Sequence, residues 1–203
     1  MTEQLVLPAF YLPNIAYFSA IQKSTSTVYI EQHENFPKQT YRTRTSIATA
    51  NGTLDLIVPI LHGRKEHSPM KDVRINYDHN WQRLHWLSLQ TAYRSSAYFE
   101  YYEDDFARFY EQKFEFLLDY NVQQLEVALR LLKLNREIVL TENYSSEIST
   151  SVDYRSAIHP KKESLLIDPK EYYQVFEDKT GFQPDLSVVD LLFNQGPQAK
   201  SFL

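Results

Sequence analysis

With 203 residues and no Cys, the chain is long enough to bury roughly 70% of its unfolded surface, and it has no disulfide framework, thiolate zinc site or cysteine nucleophile. A net charge of −5 argues against a general nucleic-acid binder. Only four Gly, and no glycine-rich phosphate-binding run, argue against a dinucleotide fingerprint or a P-loop.

The N-terminal stretch carries Glu3, no basic region, and Pro8 and Pro13 within its apolar run, so it does not read as a signal peptide. No window approaches the roughly 20 apolar residues of a membrane span. The expectation is a cytoplasmic protein of one domain, residues 1–203, without membrane insertion. It divides into a β-rich lobe over about 1–79, a helical lobe over about 80–135 and a C-terminal segment over about 136–203.

Leu5 to Phe10 is apolar and short, a buried strand. Pro13 suits the entrance of a helix over Asn14–Gln22, and the β-branched run Thr27–Glu31 predicts a second strand. Strand, helix, strand in about 30 residues is a βαβ unit with a parallel pair. Such units place ligands at the C-terminal ends of their strands, here Phe10-Tyr11 and Glu31-Gln32-His33. Asn51-Gly52 predicts a two-residue type I′ hairpin. That turn would set Ile47 opposite Leu56 and Thr45 opposite Val58, with Leu54, Leu56, Val58 and Ile60 on the core face. Arg42 and Arg44 would share the other face, ~7 Å apart.

Residues 61–71 read as a polar loop and Asp72–Asn76 as a further strand. Helical periodicity follows. Asn80 caps a helix to about Tyr93, an aromatic helix covers about Tyr98–Leu118, and Asn121 caps a third. Glu137–Thr141 reads as a strand and Tyr144–Glu163 as an irregular loop. Lys170–Lys179 predicts a helix closed by Gly181, and Ser187 to Asp190 a capping box opening a last helix. The fold class is α/β, with α+β as the alternative: a small mixed sheet from the N-terminal half under a helical cap formed by residues 80–135.

Lys38, Arg42 and Arg44 form a basic ladder, with Gln39 between them. Guanidinium forks bind phosphate or carboxylate bidentately, although arginines on a solvated hairpin face are ordinary. Trp81 and His85 share one face of the helix after Asn80. A His titrates near neutrality and suits acid or base work, but one at helical spacing is more often structural. His33, beside Glu31 and Glu34, sits where the βαβ unit delivers ligand contacts and is a candidate general base. His62 and His67 match no zinc spacing with it, so no metal is expected. The aromatic stripe Tyr98–Phe116 reads as core.

Several segments together resemble the WbqC-like family over nearly the whole chain. They are Tyr11-Leu12-Pro13 with Tyr17-Phe18, Lys38-Gln39-Thr40-Tyr41-Arg42-Thr43-Arg44, Val58-Pro59-Ile60, Trp81 to Tyr93, and Asp190 to Asn194 with Gly196. The family commonly opens with His-Gln-Pro where this chain has Leu7-Pro8-Ala9, so this chain either lacks that His or supplies it from His33. The resemblance implies a bacterial protein of surface-polysaccharide biosynthesis acting on nucleotide-activated sugars. The expectation is therefore a transferase-type enzyme for a phosphorylated or nucleotide-linked sugar, with no cofactor and with homo-oligomers allowed. Lys38, Arg42 and Arg44 would hold the anion, Tyr11, Tyr41, Gln39 and Trp81 would line the substrate, and His33 or His85 would move the proton. A non-catalytic scaffold using the aromatic helices, or a nucleotidyltransferase-like enzyme, are the alternatives.

Overall fold

β1 (Gln4–Pro8) is a central strand, and from Leu5 onward it is buried, which is why it reads as a continuous apolar run rather than an alternating one. The computed structural model describes residues 4–24, 27–61, 68–145, 151–161 and 170–203. α1 (Ile15–Lys23) returns the chain to β2 (Val28–Glu31), which pairs with β1 in parallel, Leu5 against Val28 and Pro8 against Glu31. β5 (Ile138–Leu140) adds in parallel to β2, and β6 (Ser151–Asp153) adds in parallel to β1. The four-stranded order is β5-β2-β1-β6. The mixed α/β class is as predicted, but this sheet is wholly parallel and takes two strands from the C-terminal third. Residues 151–153 fall inside the segment read as a loop. Three residues cannot show periodicity, yet they cover the open edge of β1.

β3 (Arg44–Thr49) and β4 (Gly52–Ile57) form a separate antiparallel hairpin. Its register differs from the expected one: Ile47 opposes Leu54 and Thr45 opposes Leu56. Gly52 has φ +104° while Asn51 is not at positive φ, so the turn lacks the two left-handed residues of type I′. It fits a type I turn followed by a glycine bulge. The slip is two residues, so side chains keep their faces. Ile47, Leu56 and Val58 are buried, whereas Leu54 near the turn stays 40% exposed.

The helical layer comprises α2 (Trp81–Tyr93), α3 (Phe99–Glu111) and α4 (Leu117–Leu131). The expected helix to Leu118 is interrupted, and the expected strand at 72–76 is reduced to single bridges. One cause explains both: Ile75 N–H donates to Glu115 O, Leu117 N–H donates to Val73 O, and Arg74 bridges Phe116. The backbone of 113–116 is spent on tertiary pairing. Asn121 therefore lies inside α4 rather than capping it; its Nδ2 donates to Ala9 O and Arg42 O.

α5 is short (Glu177–Thr180), ended by Gly181 at φ +70° as predicted. The preceding residues are extended because Tyr172 and Gln174 both reach the interior while Tyr173 is 58% exposed, an alternation that helical geometry does not give. α6 (Val188–Gln195) lacks the expected capping box. Ser187 Oγ donates to Leu12 O instead, and Asp190 is fully buried. α1 is capped from a distance, by Asp185, whose carboxylate accepts from Ala16 N–H and Asn14 Nδ2. Gly196 sits at φ +53°, where an added Cβ would lie 2.4 Å from the Tyr98 ring. Gly196→Ala is expected to destabilise by about 1–3 kcal/mol, measured by urea unfolding. An unchanged midpoint would mean that the ring moves aside freely.

Candidate functional site

The four parallel strands end together. Beyond their C-terminal ends opens a cleft of about 810 Å³, whose lining includes His33, Lys38, Arg42, Tyr144, Arg155 and His159. β2 lies on one side of β1 and β6 on the other, and the crevice where strand order reverses is where open parallel sheets bind ligands.

Two arginines form its base. Arg42 is only 3% exposed and grips Glu34 with both arms, Nε to Oε1 at 2.5 Å and Nη2 to Oε2 at 2.7 Å. Nη2 also donates to Arg155 O at 3.1 Å, and the guanidinium lies 5.6 Å from the Phe10 ring centroid. Burial pushes the Glu34 carboxyl above its ordinary value, and the Arg42 fork opposes that shift. Arg155 donates to Asp153 through Nε and Nη2, to Glu31 Oε2 at 3.2 Å and to Ser145 O at 2.8 Å. Partial burial works against the Asp153 charge, but the Arg155 bonds outweigh it and hold that carboxyl below its usual range. Three carboxylates, Glu34, Asp153 and Glu31, thus pair with Arg42 and Arg155.

Glu31, at the end of β2, organises the rim. Its Oε1 accepts from His33 N–H at 2.7 Å and from Thr141 Oγ1 at 3.0 Å. His33 Nε2 is 3.1 Å from Thr141 O. A carbonyl can only accept, so Nε2 carries the hydrogen and the lone pair of neutral His33 is on Nδ1.

The structure divides the residues singled out in the sequence. His33, Lys38 and Arg42 line the cleft; Gln39, Tyr41 and Arg44 are not in its described lining. Arg42 and Arg44 do not act as a pair on one face. Arg42 precedes β3 and turns inward to Glu34, while Arg44 is 3.5 Å from Asp55 across the hairpin. Tyr41 is half-buried, with burial pushing its phenol up to about 12. Tyr11, Trp81 and His85 form part of the core. Tyr11 Oη lies 3.0 Å from His85 Nδ1 and 2.9 Å from Tyr110 Oη, and Trp81 Nε1 donates to Asn76 O. Burial lowers His85 to about 4, partly offset by the Ile57 carbonyl. His62 and His67 lie outside the described residues.

Sequence reasoning missed Asp153, Arg155 and Tyr144. They fall in the stretch read as irregular, and Asp153-x-Arg155 at the end of a three-residue strand was the one available signal. No group of three or more His, Asp or Glu able to hold a metal occurs among the described residues.

Fold and site together define an α/β protein whose cleft opens at the C-terminal edge of a parallel sheet. The chain belongs to the WbqC-like protein family, which it matches over residues 9–202. It is also similar to an uncharacterised protein of Mycobacterium tuberculosis, at 23% identity over 228 residues, covering 100% of this chain and 98% of the relative. No solved structure matches. No helix among the described residues is long and apolar enough to cross a membrane.

Proposed function

We propose that the cleft binds a phosphate-bearing or nucleotide-linked sugar and that the protein is a transferase acting on it. The observation that carries this reading is the cleft itself: about 810 Å³ at the strand-order reversal of a parallel sheet, with Lys38 and two histidines, His33 and His159, in its lining beside the paired arginines. Its volume lies within the roughly 300–1,000 Å³ of small-molecule sites.

His33 is the proton acceptor in this reading. Thr141 O holds its Nε2–H, which leaves Nδ1 to take the proton of an attacking hydroxyl or amine. Pro8 pairs with Glu31, so His33 emerges at the sheet edge where the β1 ending Leu7-Pro8-Ala9 supplies no His. Lys38, at the rim, meets the phosphate. His85 takes no part, because it lies in the core and its hydrogen bond to Tyr11 is made there.

Thermal-shift screening against nucleotides, sugar nucleotides and acyl-CoAs identifies the ligand class; stabilisation by sugar nucleotides is expected. With the responding donor, His33→Gln keeps the donor to Thr141 O and is expected to lower kcat by about 10²–10⁴-fold with an unchanged melting temperature. Undiminished turnover would remove His33 from the chemistry. A second reading, a non-catalytic scaffold, draws on the exposed Leu84 and Leu87 of α2. It predicts silence across the whole panel.

A further inference from the structure

We infer that Tyr144 is the stacking platform of the cleft and that its ligand carries an aromatic base, so that a nucleoside diphosphate group is recognised rather than a bare sugar phosphate. The inference rests on the proposed reading of the cleft and names the part of the ligand which that reading leaves open.

Tyr144 lines the cleft and is 55% exposed. A ring left this open gains little from burial, so core packing does not account for its placement. Its orientation is nevertheless controlled. The Arg155 guanidinium lies 5.1 Å from the ring centroid, within cation–π range. That guanidinium is itself hydrogen-bonded through all three nitrogens: Asp153 accepts from Nε and Nη2, and Glu31 and Ser145 O accept from Nη1. The Arg155 side chain is 9% exposed, so the cation is almost withdrawn from water while the ring it supports is not. A fixed, half-open aromatic ring backed by a buried cation is the arrangement that stacks a nucleobase.

The other tyrosines singled out in the sequence do not compete for the role. Tyr11 is in the core, and Tyr41 packs against Phe10, 5.5 Å between centroids. Lys38 lies in the same lining as Tyr144 and supplies the cation for a diphosphate, as a compact point charge rather than a fork.

Calorimetric titration of the wild type, Tyr144→Ala and Tyr144→Phe with uridine diphosphate, adenosine diphosphate and glucose 1-phosphate tests this. Both nucleotides are expected to bind the wild type more tightly than glucose 1-phosphate. Tyr144→Ala is expected to weaken both nucleotides by on the order of tenfold to a hundredfold and to leave glucose 1-phosphate unchanged, while Tyr144→Phe keeps the wild-type pattern. Equal losses for all three ligands in Tyr144→Ala, no loss at all, or glucose 1-phosphate binding as tightly as the nucleotides would each overturn the stacking role while leaving the anion cleft standing. Failure of all three ligands to bind the wild type would overturn the reading of the cleft, and this inference with it.

Discussion

Arg42→Ala is expected to destabilise the protein by about 3–5 kcal/mol, because it strands the Glu34 carboxylate in the interior without its partner. The pair is bidentate and nearly closed to water, with side-chain exposures of 3% and 11%. Removing one member leaves the full desolvation cost of the other. Arg42 also donates to Arg155 O and lies over Phe10, so the substitution loosens the cleft base as well. Arg44→Ala is expected to cost less than about 1 kcal/mol, since its 3.5 Å pair with Asp55 is partly solvated. Urea unfolding of the two variants gives the comparison. The double variant Glu34→Leu/Arg42→Met is expected to recover most of the loss, as apolar replacements of buried pairs commonly do. A double variant as unstable as Arg42→Ala would show that the loss comes from Arg42's other contacts. A drop in ligand affinity in Arg42→Ala would therefore mix folding with recognition. Lys38→Ala, at an exposed position, is the cleaner probe of the proposed anion site.

The second large effect is expected at Asp190. Its buried carboxylate accepts from Tyr172 Oη at 2.6 Å, Tyr93 Oη at 2.8 Å and Gln174 Nε2 at 3.1 Å. It thereby ties the extended segment before α5 and the helix α2 to α6. Asp190→Ala leaves three interior donors without that acceptor, a loss of about 3–5 kcal/mol, or roughly 10 °C in melting temperature.

Burial lifts the Asp190 carboxyl to about 6, against the donors that favour its charge. The folded state therefore holds this proton more tightly than the unfolded state. Between about pH 4 and 6 the folded protein carries more protons, so this group's contribution to stability falls as pH rises, by about 3 kcal/mol across the window. Asp185, lifted by burial to about 6, acts in the same direction. His85, lowered to about 4, acts oppositely, because its unfolded form is the first to protonate on acidification. Asp190→Asn removes one of these slopes. The wild type is expected to lose stability relative to Asp190→Asn as pH is raised from 4 to 7, measured by denaturant midpoints at several pH values. Parallel curves would show that the carboxyl does not titrate in that range.

Local information was legible where a segment's neighbours in sequence are also its neighbours in space. β1, α1 and β2 form one βαβ unit, and apolar run, proline and β-branched run each sit where a short crossover needs them. The placement of a cleft beside His33 followed from the same unit, because strand direction alone decides which end faces the crevice. Parity along β4 was also recoverable: the slip was two residues and left the faces intact. Features decided by groups distant in sequence were not legible. The break between α3 and α4 comes from pairing with residues 73–75, and the open segment at Tyr172–Gln174 comes from Asp190.

The α/β class, the parallel pair of β1 and β2 and the emergence of His33 at the C-terminal end of β2 could be read from the residues alone. These depend on period, strand direction and chain connectivity, which are local. The fate of the arginines could be read only from the folded chain. Arg42 and Arg44 look equivalent two residues apart, but Glu34 lies beside the first and Asp55 beside the second, and a buried charge must go where its counter-charge is. The same requirement brought Arg155 from an unremarked loop to the base of the cleft. There Asp153 and Glu31 pair with the guanidinium, which lies 5.1 Å from the Tyr144 ring centroid.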